Sequence, residues 1–399
     1  MRTLDFYRYT LGSCITLAIL AGCGVFRQAQ DDMPSIGTAG TMPPSASVTA
    51  HAVPRWHAMH TYPACPQVVG TPICLALIQS KGAQPACVGP GCGWAPIDFQ
   101  TRYKLPITRG SGQIVAIVDA GDNPDAAHDI ATYRMEFGLG AASFYKYNQN
   151  GQQGNYPSYT GWSIEIDLDI EMVSATCPLC TINLVEANTA ASADLETAEA
   201  EAVTLGAHIV SNSWICYGSV NCVDQRDFDT KGVTYLAAGG DAGSNQVGAP
   251  AAFDSVAAIG GTQLAKSGSK YSETIWSGGG GGCATGIKKP NWQSIIPSSV
   301  CGYRLTNDAA AEAGCSPGVA EYDSHDGGWF GVCGTSVAPP LLAGVFGLAG
   351  NPTKQDGGRT FWRTAHHKEL YHLQGQCAYR QGQYTTCGGW GSPDGVGAL

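Results

Sequence analysis

Charge is what this sequence has least of. Asp, Glu, Lys and Arg make up only 14% of its 399 residues, against about 25% in an average soluble domain. With 44% hydrophobic residues, that excludes a disordered chain, which combines little apolar material with high charge. Charged heptads are missing as well, and with them a coiled coil. A basic excess is absent: 32 acids face 22 bases for a net charge of −10, which argues against nucleic acid as a partner. The apolar run at 11–21 is too short to span a bilayer. Glycine and cysteine, in contrast, are plentiful, at 53 and 16 residues. High glycine with low charge implies many tight turns on one large domain with short appendages.

The N-terminus sets the compartment. Arg2 and Arg8 precede the short apolar run, the charge pattern of a signal peptide. It ends in Leu20-Ala21-Gly22-Cys23, which resembles the lipobox of bacterial lipoproteins, where the cysteine becomes the lipidated first residue. An ordinary signal peptide with a chance cysteine is the alternative. Residues 28–53 are rich in Pro, Ser, Thr, Gly and Ala without periodicity and read as a flexible tether. The expected organisation is a lipoprotein-type signal peptide at 1–22, a tether at 23–53, a Cys-containing extension at 54–95 and the main domain at 96–399. This places the domain outside the cytoplasm, held to a membrane through Cys23. Setting aside Cys14 and Cys23 leaves 14 cysteines, many close in sequence: Cys65 and Cys74, Cys87 and Cys92, Cys177 and Cys180, Cys216 and Cys222, Cys377 and Cys387. An oxidising compartment makes them disulfide candidates. Zinc is the rival at Cys177-Pro-Leu-Cys180, though no second pair of matched spacing accompanies it.

From residue 113 onward, strand and helix signals alternate. Apolar runs at 113–119, 181–186, 208–212, 234–238 and 256–259 read as buried strands. Helical patterns occupy 125–137, 162–175, 190–205 and 341–348. The alternation predicts an α/β, doubly wound, mostly parallel sheet with helices on both faces. Such sheets bind ligands at the carboxyl ends of their strands. Here those ends carry Asp119, Ser211-Asn212-Ser213, Gly239-Gly240-Asp241 and Gly260-Gly261-Thr262.

Three segments carry chemistry. In Gly334-Thr335-Ser336, a serine follows a glycine turn just before an apolar helix; it is either an N-cap or a nucleophile that gains from the helix dipole. A serine nucleophile needs a base, and none of the nine histidines lies in a His-Gly-Thr-His setting. Glu165 and Asp169 supply a substitute. Four residues apart, they share one face of a helix, and adjacent acids raise each other's pKa and share a proton. Asp167 falls off that face. Acids on a helix usually mark a solvated side, but this helix is otherwise apolar. The third segment, Gly239-Gly240-Asp241-Ala242-Gly243, is either a turn or, with Asp241 protonated, a donor to a developing oxyanion.

Taken in their order along the chain, the segments resemble the sedolisin family, the serine-carboxyl peptidases. The resemblance runs from about Pro96 to the C-terminus. Besides those three segments it rests on Ser211-Asn-Ser-Trp214, Gly260-Gly-Thr262, the glycine run at 278–282 and Lys289-Pro-Asn-Trp-Gln293. It implies a subtilisin-like fold and hydrolysis of peptide bonds at acid pH. Ser336 would be the nucleophile, Glu165 the general base, Asp169 its partner and Asp241 the oxyanion acid. Gly278, Gly279 and Gly280 would run along the substrate cleft. The expected enzyme is an endopeptidase, a monomer acting on peptides or proteins. A non-catalytic cell-surface binding protein on a peptidase fold is the alternative, since fold does not imply activity.

The chain departs from the family pattern in three places. A full folded prodomain does not fit between Cys23 and Pro96. The places of the family's two calcium-binding carboxylates read His372-Leu373 and Gly389-Trp-Gly-Ser-Pro-Asp394-Gly, so a bound calcium is left open and no metal ligand is assigned; Asp394 and backbone carbonyls offer partial compensation, and the Cys377 and Cys387 pair is the alternative brace. Cys333 stands where a second glycine is common before Gly334. It would pair with Cys315, with a thiol nucleophile as the rival reading.

Overall fold

The computed structural model describes residues 61–81, 84–85 and 89–399. The signal, lipobox and tether predicted at 1–53, and Cys87, lie outside the described residues.

The first described elements are three short strands, β1 (Thr61–Pro63), β2 (Ile73–Cys74) and β3 (Leu77–Lys81), followed by helix α1 (Pro96–Arg102). The alternating region then begins with β4 (Ile114–Ala120), α2 (Ala126–Glu136), β5 (Ser143–Asn148), α3 (Ser163–Thr176), β6 (Thr181–Ala187) and α4 (Ser192–Thr204). It continues with β7 (Ile209–Asn212), β8 (Trp214–Tyr217), β9 (Thr234–Ala238), β10 (Val256–Ser267) and β11 (Lys270–Ile275). Strands β12 (Ala309–Glu312), β13 (Val319–Asp323) and β14 (Gly328–Cys333) precede the last long helix, α5 (Ala338–Ala349).

The central sheet has the order β11-β10-β9-β7-β4-β6-β5, with β12 also paired to β10. Every pairing is parallel except β10 with β11. The fold is thus the α/β, mostly parallel sheet expected. β4 shows why: Val115, Ala116, Ile117 and Val118 are fully buried, and β-branched residues buried on both faces favour an inner parallel strand. α3 and α5 pack on each other and on β4, while α4 packs on β4 and β6.

Helix α3 departs from ordinary amphipathic design. All 14 of its residues are buried, so Glu165, Asp167, Asp169 and Glu171 all sit in the interior; none forms a solvated face. The 54–95 stretch differs from expectation as well. Its part 61–81 is no appendage: β3 pairs with β14, β1 with β3, and β2 with β8.

Six disulfides join described residues: Cys65–Cys74, Cys177–Cys180, Cys216–Cys222, Cys283–Cys301, Cys315–Cys333 and Cys377–Cys387. Cys177 and Cys180 are therefore bonded to each other and not to zinc, and Cys333 is bonded to Cys315 and not a free thiol. The pairing of Cys283 with Cys301 was not legible from proximity. This disulfide content suits an extracellular or secreted protein. Among the described residues, no helix is long and apolar enough to cross a membrane.

Candidate active site

The carboxyl ends of β4, β7 and β9 meet α3 and the turn before α5. That turn holds Ser336. Gly334 adopts φ 108°, a region that side chains rarely enter. A Cβ there would lie 2.0 Å from the Leu75 carbonyl oxygen and 2.7 Å from Asp241 Oδ2. Residues Thr335–Val337 form a single 3₁₀ turn, and α5 follows with Pro339 and Pro340 in its first turn, where proline removes no needed donor. Ser336 is fully buried and its hydroxyl donates to the Ser213 carbonyl at 3.1 Å.

Glu165 and Asp169 face this serine from α3. Glu165 Oε2 accepts from the backbone N–H groups of Leu75, at 3.2 Å, and Ala76, at 2.8 Å. Leu75 N–H also lies 3.1 Å from Ser336 Oγ. Asp169 Oδ1 accepts from Ser213 Oγ at 2.7 Å, and the same hydroxyl reaches the Ser336 carbonyl at 3.0 Å. Burial pushes both carboxyls well above the usual carboxylate range, and the nearby Asp119 adds like-charge repulsion to each. A hydrogen bond from Ser336 and the Ala76 N–H oppose the rise at Glu165. Asp167 and Glu171 point elsewhere: Asn123 donates to Asp167 at 2.8 Å and the Tyr322 N–H to Glu171 at 3.1 Å.

Asp241 lies across the turn. Its Oδ1 accepts from Thr335 N–H at 2.7 Å and Thr335 Oγ1 at 2.5 Å. Its Oδ2 is buried and has no hydrogen-bond partner among the described residues. Burial lifts its pKa to about 7, against the lowering effect of the Thr335 bonds. At acid pH the free oxygen is a hydroxyl able to donate into the space beside Gly334. Ser336, Glu165, Asp169 and Asp241 thus converge. The glycines Gly278, Gly279 and Gly280 are tied to the Asp241 loop and to Trp276 by backbone hydrogen bonds. Gly279 N–H is spent on the Trp276 carbonyl and Gly280 N–H on Gly240, while the Gly278 carbonyl takes the Gly243 N–H. The run thereby braces the Asp241 loop.

Asp119 was noted in the sequence at a strand end but given no role. It ends β4, is fully buried, and burial lifts its pKa to about 7. Its strand-end position beside the predicted acids was the available signal.

The calcium expected of the resemblance does not fit the residues present. His372 is exposed, and Asp394, the compensating carboxylate, is held by Lys104 at 2.7 Å. The Cys377–Cys387 disulfide spans this region.

Neither a protein-family model nor a curated protein matches the sequence. Solved structures do. A Pseudomonas sedolisin, a serine-carboxyl proteinase complexed with two molecules of pseudo-iodotyrostatin, is 23% identical over 77% of this chain and 96% of that one, with a TM-score of 0.66. The fold is that of the subtilisin-like peptidases. An S41 psychrophilic protease shares it at 15% identity, covering 77% of this chain and 99% of the other, with a TM-score of 0.54. A lanthipeptide protease does so at 15% identity, 76% and 92% coverage and a TM-score of 0.50. At these identities the likeness speaks for the fold, and the chemistry must be argued from the side chains.

Proposed function

We propose that this chain is a sedolisin-type serine-carboxyl endopeptidase acting at acid pH through an acyl-enzyme on Ser336. The observation that carries the reading is the meeting of a buried serine hydroxyl, a carboxylate within reach of the same amide and a carboxyl with one free oxygen. In the reaction, Ser336 Oγ attacks the substrate carbonyl carbon and Glu165 takes its proton. Asp169, held by Ser213, stabilises the proton on the acid pair. Asp241 donates from Oδ2 to the oxygen on which negative charge grows, the role of an oxyanion-hole donor. Glu165 then passes the proton to the departing amine as the peptide C–N bond breaks, and water hydrolyses the Ser336 ester. The roles require Glu165 ionised and Asp241 protonated together, so activity belongs on the acid side of about pH 7.

The substrate is a peptide or protein and the working form a monomer. Cys23 is lipidated and residues 23–53 tether the domain outside the cytoplasm. A Cys23→Ser chain that still partitions with membranes would remove the anchor from this reading. The activity itself is tested on the full chain, with denatured protein as substrate at about pH 4. Measurable if slow cleavage is expected from the parent and none from Ser336→Ala; cleavage by Ser336→Ala at the rate of an active parent would refute Ser336 as nucleophile.

A further inference from the structure

An extended piece of the chain lies across the proposed catalytic serine. Strand β2 pairs antiparallel with β8, Ile73 opposite Ile215 and Cys74 opposite Trp214. The ladder continues with Leu75 N–H on the Ser213 carbonyl at 3.3 Å. Beyond Ser336, β3 pairs antiparallel with β14, Leu77 opposite Cys333 and Ile78 opposite Val332. Residues 73–78 therefore run as one strand between two edges, one of which leads directly into the Gly334–Ser336 turn. Adding a strand to exposed edges is how extended peptides are commonly bound.

The register places one peptide bond at the chemistry. Leu75 N–H faces Ser336 Oγ, and the Leu75 carbonyl oxygen shares the space beside Gly334 with the free oxygen of Asp241. Ala76 N–H, the nitrogen that would leave, sits 2.8 Å from Glu165 Oε2. The Leu75 side chain is buried against Ile215 and Ala238, with Ile73 and Tyr217 packed alongside. Two features hold the segment. The Cys65–Cys74 disulfide closes a loop that ends inside the segment, one residue before Leu75, and β1 folds back onto β3, with Ala64 N–H on the Ala76 carbonyl at 2.9 Å. Beyond it, Gln79 Nε2 donates to the Cys315 carbonyl and Gln79 Oε1 accepts from the Gly318 N–H.

We infer that residues 73–78 are a tethered, substrate-like plug that keeps the peptidase latent, and that the pocket filled by Leu75 selects a leucine-like apolar residue on the acyl side of the cleaved bond. The inference rests on the peptidase reading above. A rigid loop loses little entropy on docking, and a short tether holds its segment at an effective concentration on the order of mM. External peptide must therefore compete with a covalently attached occupant. Opening the Cys65–Cys74 clamp, or making Leu75 unfit for an apolar pocket, should release it.

The test uses the full chain as parent, Leu75→Arg, and Cys65→Ser/Cys74→Ser, each with and without Ser336→Ala. Two readouts are taken: hydrogen exchange of the amides at 73–78, and hydrolysis at about pH 4 of quenched peptides with Leu, Asp or Lys on the acyl side. Slow exchange in the parent and fast exchange in both variants is expected. Serine-dependent hydrolysis of the Leu peptide should rise by roughly 10²-fold or more, in keeping with a millimolar tether. Unprotected amides in the parent, or variants no more active than an active parent, would overturn the plug. A preference for Asp or Lys would overturn the pocket. If exchange accelerates as expected while every form stays inactive, occupancy stands and the peptidase reading falls.

Discussion

At the scale of single residues, the case turns on four carboxyls and a serine in a site too dry for any of them to behave as in water. Asp241 is the most informative. Thr335 holds one of its oxygens and leaves the other free, so its usefulness depends on the proton that burial keeps on it up to about pH 7. An amide in the same place donates at any pH. Asp241→Asn should keep its carbonyl oxygen on Thr335 and present its NH₂ to the substrate, so kcat/KM should no longer fall as pH rises through 7. Asp241→Ala should lose roughly 10²–10³ in kcat, the usual cost of one oxyanion donor. Profiles of kcat/KM between about pH 3 and 8 read both outcomes, best taken on a background with residues 73–78 released. An alkaline limb unchanged in Asp241→Asn would assign that limb to another group. The positions of these side chains were legible in the sequence because Glu165 and Asp169 fall on one helical face and the other two follow glycine turns at strand or helix ends. Asp119 was legible only as a polar strand end, because its closeness to Glu165 and Asp169 depends on how β4 packs against α3.

At the scale of elements, alternating strand and helix signals place β4, β6, β7, β9 and helices α2 to α5 correctly, because buried parallel strands are continuous apolar runs; α1 was not foreseen. β2 and β3 were invisible for the opposite reason. Two- to five-residue strands carry little local signal, and their register is set by β8 and β14, far away in sequence. The helix pair α3–α5 matters most for chemistry, since α3 carries Glu165 and α5 follows Ser336. They approach at Gly344, where a Cβ would lie 2.0 Å from Thr176 Oγ1 and 3.2 Å from the Cys177 nitrogen. Thr176 Oγ1 donates there to the Leu341 carbonyl at 3.0 Å. Alanine is the better helix former by about 1 kcal/mol, so propensity alone predicts that Gly344→Ala stabilises. Overpacking typically costs about 1–3 kcal/mol, and the contact is to backbone as well as side chain. We expect net destabilisation, seen as a lower urea midpoint, together with a kcat loss of up to about 10²-fold as base and nucleophile shift apart. A midpoint at or above that of the parent would show that α3 and α5 can separate freely.

At the scale of the whole molecule, the low charge of the sequence conceals where its acids are. Outside the proposed acid pair, Asp167, Glu171, Glu199, Glu312 and Glu321 are all fully buried, and burial, the largest cause in each, holds their carboxyls well above the usual range. Asp119 and Asp241 stand at about 7 and Glu186 at about 8. In the unfolded chain the same groups ionise near pH 4. Between those values the folded state binds more protons than the unfolded one, so stability must fall as pH rises. Their contribution is fully present below about pH 4 and is lost progressively as pH rises, through about 7 for Asp119 and Asp241 and about 8 for Glu186. This is the reverse of a protein held by ionised salt bridges, where carboxyl pKa values drop on folding and acid unfolds the chain. The buried pair Arg304–Asp308 is of that second kind, but the raised carboxyls outnumber it. Thermal unfolding of Ser336→Ala, chosen to prevent self-digestion, should therefore show a Tm roughly 5–10 °C higher at about pH 4 than at about pH 7.5. A Tm that peaks near neutrality would mean that these carboxyls ionise inside the fold. The proton-holding interior and the protonated Asp241 would then lose their common basis, because the same dry surroundings are required for both.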